Sequence, residues 1–119
     1  MLTEGQHTGE FLVSEANGRR SRQTVTFKSG HTIKPGMVLG KLNSGGKFVP
    51  LDTSASSGAE KAAAIAWDHV DAADDDVEGV VIDRDAEVRG SGLIWPDEIG
   101  DDKKSDAKSK LAERGIKVR

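Results

Sequence analysis

Along most of the chain the apolar residues alternate with polar ones or fall in short unbroken runs, and only near the C-terminus do they recur every fourth position. The first clear alternation, QTVTF at 23–27, carries β-branched residues and predicts a strand. MVLGKL at 37–42 and KFVPL at 47–51 predict two more strands, joined through NSGG at 43–46 as a hairpin, with Pro50 suited to an edge or a strand end. Ahead of them, Pro35 and Gly36 suit the central positions of a type II turn, because glycine accepts the positive φ required there. VEGVVI at 77–82 is β-branched and continuous and predicts a buried strand. AEVRG at 86–90 and SGLIW at 91–95 predict short strands about a glycine turn, the second stopped by Pro96.

The alanine-rich stretch 55–70 reads two ways. Alanine favours helix, yet AAIAW followed by VEGVVI also reads as two buried strands, and periodicity does not separate short apolar runs. The reading adopted is a helical turn near Ala59–Ala62 followed by a strand through Ile65–Trp67. Residues 101–115 carry the best helical pattern, with Ala107, Leu111 and Gly115 four apart. Asp101 or Asp102 caps the start, and Lys108, Lys110 and Arg114 suit the negative end of the helix dipole. Gly115 supplies the left-handed residue that ends the helix, Ile116 packs back behind it, and Ile116–Arg119 forms a last strand with Ile116 and Val118 on one face. In residues 1–23, Gly5, Gly9 and ANGRRSR break every period, which predicts a flexible N-terminal arm ahead of a single domain at 24–119.

Composition makes the expected core thin. The 119 residues are 35% hydrophobic and only 4% aromatic, so the interior rests on Val, Ile, Leu and Ala and invites completion by a partner or by oligomerisation. The absence of cysteine excludes disulfides and thiolate chemistry. No apolar run approaches the ~20 residues that span a bilayer, and the N-terminus lacks the basic start and apolar middle of a signal peptide. The expectation is a chain used in the cytosol or assembled there into something larger, with no membrane partner. Net charge is −3 but unevenly placed: residues 68–87 hold nine acids against Arg84 alone, and residues 101–119 hold seven bases against four acids. That balance is not that of a nucleic-acid binder.

Candidate chemistry is sparse. DDDVEGVVIDRD at 74–85 sets Asp74, Asp76 and Glu78 at positions 1, 3 and 5 of a calcium loop, Gly79 at 6, Val81 at 8 and Asp85 at 12. Asp85 is one methylene too short for the usual bidentate ligand, and the segment after it reads as strand where a calcium hand needs helix. An acidic turn running into a buried strand explains the stretch better; a small calcium-binding module is the alternative. His7, His31 and His69 lack the spacing of a zinc site. No catalytic signature frames a serine, the neighbouring acids read as a solvated surface, and no metal or cofactor is expected. Arg19, Arg20 and Arg22 form a basic cluster in the arm, which reads equally as a solvated flexible segment or as an arm that docks on an acidic or phosphate-bearing partner surface. GLIWP at 92–96 reads as core or as a subunit interface, where Trp is over-represented.

In order, NGRRSRQTVTFKSG, IKPGMVLGKL, GKFVPLD, AEKAAAIAW, an acidic turn with GVVIDRDAEVRG, LIWP, DEIGDDKKSDAKSKL and RGIKVR resemble the head decoration proteins of tailed bacteriophages, the lambda-like capsid-stabilising class. The resemblance runs over about residues 11–119 and rests on the order and spacing of the segments. It implies a mainly β fold of the β-clip kind, a small barrel or bent ribbon with one or two short helices and a flexible N-terminal arm. It implies a non-enzymatic homotrimer, encoded by a phage or prophage, that binds the major capsid protein on the outer face of the expanded head and steadies it against internal DNA pressure. It also implies location in the virion after assembly in the host cytoplasm, with no direct nucleic-acid contact, and an arm that orders on the capsid by strand addition. On this reading the capsid contact falls on Arg22, Gln23, Thr24, Val25, Thr26 and Phe27, through the backbone of Gln23–Phe27 and the charge of Arg22. The trimer interface falls on Leu93, Trp95 and Pro96. Removal of residues 1–27 is expected to abolish capsid binding and spare the fold. Residues 1–15 are longer and more polar than the resemblance explains and receive no role.

Overall fold

Turn residues cut the chain into strands of three to six residues, too short to stand alone, so the fold is made by pairing strands far apart in sequence. A computed structural model of the protein describes residues 12–15, 22–96 and 99–119. Its strands are β1 (Leu12–Glu15), β2 (Arg22–Phe27), β3 (His31–Ile33), β4 (Val38–Lys41), β5 (Phe48–Pro50), β6 (Ala62–Ala66), β7 (Val70–Ala72), β8 (Val77–Ile82), β9 (Ala86–Val88) and β10 (Ile116–Val118), with one α-helix, α1 (Asp101–Glu113). The expected mainly β architecture with a small barrel is present. Five strands close into a barrel in the order β2-β5-β4-β6-β8. A three-stranded sheet, β1-β9-β10, and a ladder of β3 with β7 flank it.

The hairpin of β4 and β5 turns as its sequence dictates, with Leu42 N–H donating to the Lys47 carbonyl at 2.8 Å across NSGG. The type II turn also forms: Met37 N–H reaches the Lys34 carbonyl at 3.1 Å, and Gly36 takes φ 85°. α1 runs through the expected helix, with Ala107 and Leu111 buried on its inner face. Its N-cap is Gly100, while Asp101 and Asp102 lie in the first turn, so the acids meet the helix dipole without capping by hydrogen bond. Gly115 at φ 83° reverses the chain after the helix and is exposed, so it ends the helix without joining its buried seam. Ile116 behind it is fully buried and starts β10, parallel to β9.

Two expectations are corrected. The helical turn at 59–62 is a tight turn in which Lys61 N–H donates to the Gly58 carbonyl at 3.2 Å, and the strand starts at Ala62 and ends before Trp67. All five residues of β6 are buried, because the strand pairs with β4 and β8 and is covered on both faces. Ala62 and Ile65 join the core of Leu111 and Ile116, while Ala63, Ala64 and Ala66 join that of Phe27 and Leu39. Alanine sits here because two packed faces leave little room, and tertiary burial overrides its helix preference. The second correction concerns 91–95. Gly90–Gly92 curls into a 3-10 turn, and among the described residues only one bridge, between Ile94 and Met37, survives of the expected strand. Leu93 N–H donates to the Gly90 carbonyl at 3.2 Å and closes the turn, while Gly90 N–H is held by the Arg119 carbonyl at 2.9 Å, so the chain curls here and straightens only at Ile94.

β1, β3 and β7 were not anticipated. β1 pairs antiparallel with β9 and lies inside the stretch 1–23 read as an arm. Residues 1–11 and 16–21, with Arg19, Arg20 and His7, fall outside the described residues.

Candidate functional site

The barrel closes weakly at one seam. β2 is zipped to β8 along its whole length, from Arg22 opposite Ile82 to Phe27 opposite Val77. Toward β5, however, it makes a single parallel pair, Phe27 with Phe48. Beyond that pair the β4–β5 hairpin diverges, and a cleft of about 280 Å³ opens between Gln23–Thr26 on one side and Lys41, Gly45, Gly46 and Lys47 on the other.

The alternation of strand hydrogen bonds fixes which backbone groups face this cleft. Lys28 N–H donates to the Phe48 carbonyl at 3.0 Å, so the main chains two and four residues back, Thr26 and Thr24, point the same way. The far side agrees. Thr24 lies opposite Val80, whose carbonyl is taken by Trp67 N–H at 3.0 Å from the end of β6, so the Thr24–Val80 pair exchanges no ladder bonds. Among the described residues, Thr24 N–H, Thr24 C=O and Thr26 N–H therefore meet no strand. They form a short free edge at the mouth of an otherwise closed barrel.

Phe27 is fully buried, with Ile33, Leu39 and Val81 in the same core, so it anchors β2 and offers its side chain to no partner. Removal of residues 1–27 would take β2 and Phe27 out of the barrel, so the expectation that it spares the fold is withdrawn. Arg22 lays its guanidinium over the Trp67 ring, 3.8 Å from the centroid, in a cation–π stack. A second hollow, about 240 Å³, is bounded by Arg22, Gln23, Thr24, Trp67 and Val80. Gln23 accepts from Arg84 Nη2 at 3.4 Å, and Arg84 in turn pairs with the buried carboxylate of Asp83 at 3.0 Å.

Leu93, Trp95 and Pro96 divide. Leu93 is 7% exposed in the core with Leu111 and Ile116. Trp95 and Pro96 are half-buried and, with Met37, Pro50 and Ile94, surround an apolar hollow of about 50 Å³. Lys104 Nζ stands 5.6 Å from the Trp95 ring centroid.

The stretch 74–85 makes no calcium loop. It is a bend, then β8, then a second turn whose Asp85 adopts φ 47°. Glu78 sits within β8 opposite Thr26, and Val81 is buried. Asp76 is committed elsewhere: its carboxylate accepts from Lys47 Nζ and, at 2.8 Å, from Ser29 N–H. The described residues hold no cluster of three or more His, Cys, Asp or Glu able to bind a metal ion.

The Lys47 ammonium first, and the Ser29 amide second, hold the Asp76 carboxyl below its ordinary 3.8. A carboxyl lowered on folding stabilises above its unfolded pKa and loses that contribution as pH falls through the folded value. Asp76→Asn should therefore lower the melting temperature at neutral pH, and the gap from the parent should close on acidification below the usual carboxylate range. Circular-dichroism melts across pH check this; a gap that persists in acid counts against it.

The sequence reading found β2 but missed Lys41, Lys47, Arg114 and Trp67. No local signal marks them, because distant elements bring them beside β2: the β4–β5 hairpin carries Lys41 and Lys47, the end of α1 carries Arg114, and β6, through its pairing with β8, carries Trp67 at its end. A family model described as "Bacteriophage lambda head decoration protein D" matches residues 1–116. No curated protein matches the chain.

Proposed function

The chain belongs to the bacteriophage lambda head decoration protein D family, and from that premise we propose that it binds the outer surface of an expanded phage head as a homotrimer and steadies it against the outward push of packaged DNA. The partner is the major capsid protein of a tailed phage, the role is structural and without catalysis, and the virion is the site of action after assembly in the host cytoplasm. The observation that carries the docking mode is the free edge of β2. An extended capsid segment laid along Gln23–Thr26 satisfies Thr24 and Thr26 and extends the sheet, with affinity from main-chain bonds. Arg22, stacked on Trp67, sits at the start of that edge. In this reading three β2 edges act together on one trimer, so linkage raises the affinity of the whole above that of each edge.

The trimer contact is assigned to Trp95 and Pro96 with the apolar rim around them, while Leu93 supports them from the core. Sedimentation of the free chain should give a species of about 38 kDa, three times the 12.7 kDa chain. Trp95→Glu should shift it toward the monomer by at least tenfold in the association constant, because a charge replaces a ring at a buried contact. A parent chain that sediments as a monomer at micromolar concentration overturns the trimer. Binding to decoration-free expanded heads of the phage that encodes the chain tests the function itself.

A further inference from the structure

We infer that the seam between β2 and β5 selects an acidic extended segment, so that the capsid strand it takes up carries carboxylates at alternate positions. The inference rests on the docking reading above and adds the chemistry of the partner. Four charged groups line the seam near its free edge: Lys41, Lys47, Asp83 and Arg114. Two of them are already answered. Lys47 is held by Asp76, and Asp83 by Arg84. Lys41 and Arg114 form no ion pair among the described residues, and both are exposed. Lys61 lies just past them, lining the adjoining hollow of about 430 Å³ that also takes in Lys41 and Arg114. The seam is thus a local excess of cations on a protein whose net charge is −3.

Geometry joins that charge to the free backbone edge. A strand added along β2 points alternate side chains to the same face, about 6.8 Å apart. Those on the Lys41 and Arg114 side meet two cations that no carboxylate among the described residues answers. Glutamate or aspartate there completes the pairing, whereas lysine there adds repulsion at short range. The flanking glycines help: Gly45 has nothing within 4 Å of where a Cβ would stand, so the hairpin tip leaves room for a second chain. A nucleic-acid strand is disfavoured because its backbone has no N–H to give Thr24 C=O, and the one aromatic side chain of the seam, Phe48, is 5% exposed and offers no stacking face.

The test is an NMR titration of the isotope-labelled full chain with three capped heptapeptides, VEVEVEV, VQVQVQV and VKVKVKV. The glutamate peptide should perturb the amides of Thr24, Thr26, Lys41 and Arg114, and bind about fivefold more tightly than the glutamine peptide and more tightly still than the lysine one. The double variant Lys41→Gln/Arg114→Gln should keep its fold and bind the glutamate and glutamine peptides equally. Equal binding of all three by the parent, shifts mapped away from the seam, or no binding at all overturns the inference. Head binding is measured in parallel with the same samples. Heads bound without peptide preference sink the acidic selection and leave decoration standing; peptide preference without head binding sinks decoration and leaves the seam's selectivity standing.

Discussion

Replacing Thr24 by proline should cost the protein its capsid affinity and little of its stability. Proline is tolerated in sheets where the missing N–H faces away from the ladder. At Thr24 that condition holds, because Val80 opposite gives its carbonyl to Trp67 and takes no part in bonding Thr24. The residue before it, Gln23, is already extended, as a residue preceding proline prefers. The melting temperature should therefore stay within about 4 °C of the parent, the shift that roughly 1 kcal/mol produces in a domain of this size. On the capsid the same change removes a donor and sets the pyrrolidine ring where the incoming strand must lie. Losing such a bond weakens each site by about tenfold, and in the proposed trimer linkage of three sites multiplies the loss. Val25→Pro is the contrast. Val25 pairs with Gly79 at the position where β2 and β8 exchange bonds, so this variant should lose the barrel itself. Co-sedimentation with heads and thermal melts on the same preparations separate the two effects. Undiminished binding by a folded Thr24→Pro protein rules out the edge.

Gly58→Ala should be among the most damaging single-methyl additions in the chain. Gly58 is buried at φ 106°, a conformation that L side chains rarely adopt. A Cβ there would stand 2.4 Å from the Lys41 carbonyl oxygen and 2.8 Å from the Asn43 amide nitrogen, both main-chain atoms that cannot step aside. The loop passes this close because Asn43 N–H bonds the Ser57 carbonyl at 2.7 Å, tying it to the hairpin that walls the seam. Backbone strain of about 1–3 kcal/mol adds to a similar overpacking cost, together about 4 kcal/mol. For a domain of this size that is a fall of at least about 10 °C in melting temperature. Gly45→Ala isolates the strain, since Gly45 has φ 83° and nothing within 4 Å of its would-be Cβ. It should lose about 1 kcal/mol. Similar melting temperatures for the two variants would contradict the close approach at Gly58.

How much was legible depends on how far each signal reaches along the chain. The β4–β5 hairpin, the Pro35–Gly36 turn, β8, α1 and the Gly115 stop were readable because each depends on residues within a few positions of one another. β6 was half-read. Its alanines look helical in isolation and become strand only because β4, β8 and two cores close on it. β3 and β7 are three residues each and take their meaning from each other. The seam was least legible of all. QTVTF declares a strand, but not that one edge is spent on β8 while the other is released beyond Phe27. That release depends on where a hairpin some twenty residues later leaves the barrel wall. Likewise, Lys41 and Arg114 become one charged surface only after α1 and the hairpin are placed. The near-calcium spacing of 74–85 shows the converse: a pattern local in sequence whose residues are pulled apart by a strand.

The central claim is that this chain grips a phage head through the free edge of β2. The most direct measurement is a cryo-electron-microscopy reconstruction of decoration-free expanded heads, from the phage encoding the chain, after saturation with the protein. The account predicts trimeric knobs in which an extended capsid segment runs beside Gln23–Thr26, bonded to Thr24 and Thr26 within the β2–β5 seam. Heads that stay bare, or knobs held by another surface with the β2 edge left open to solvent, would contradict it.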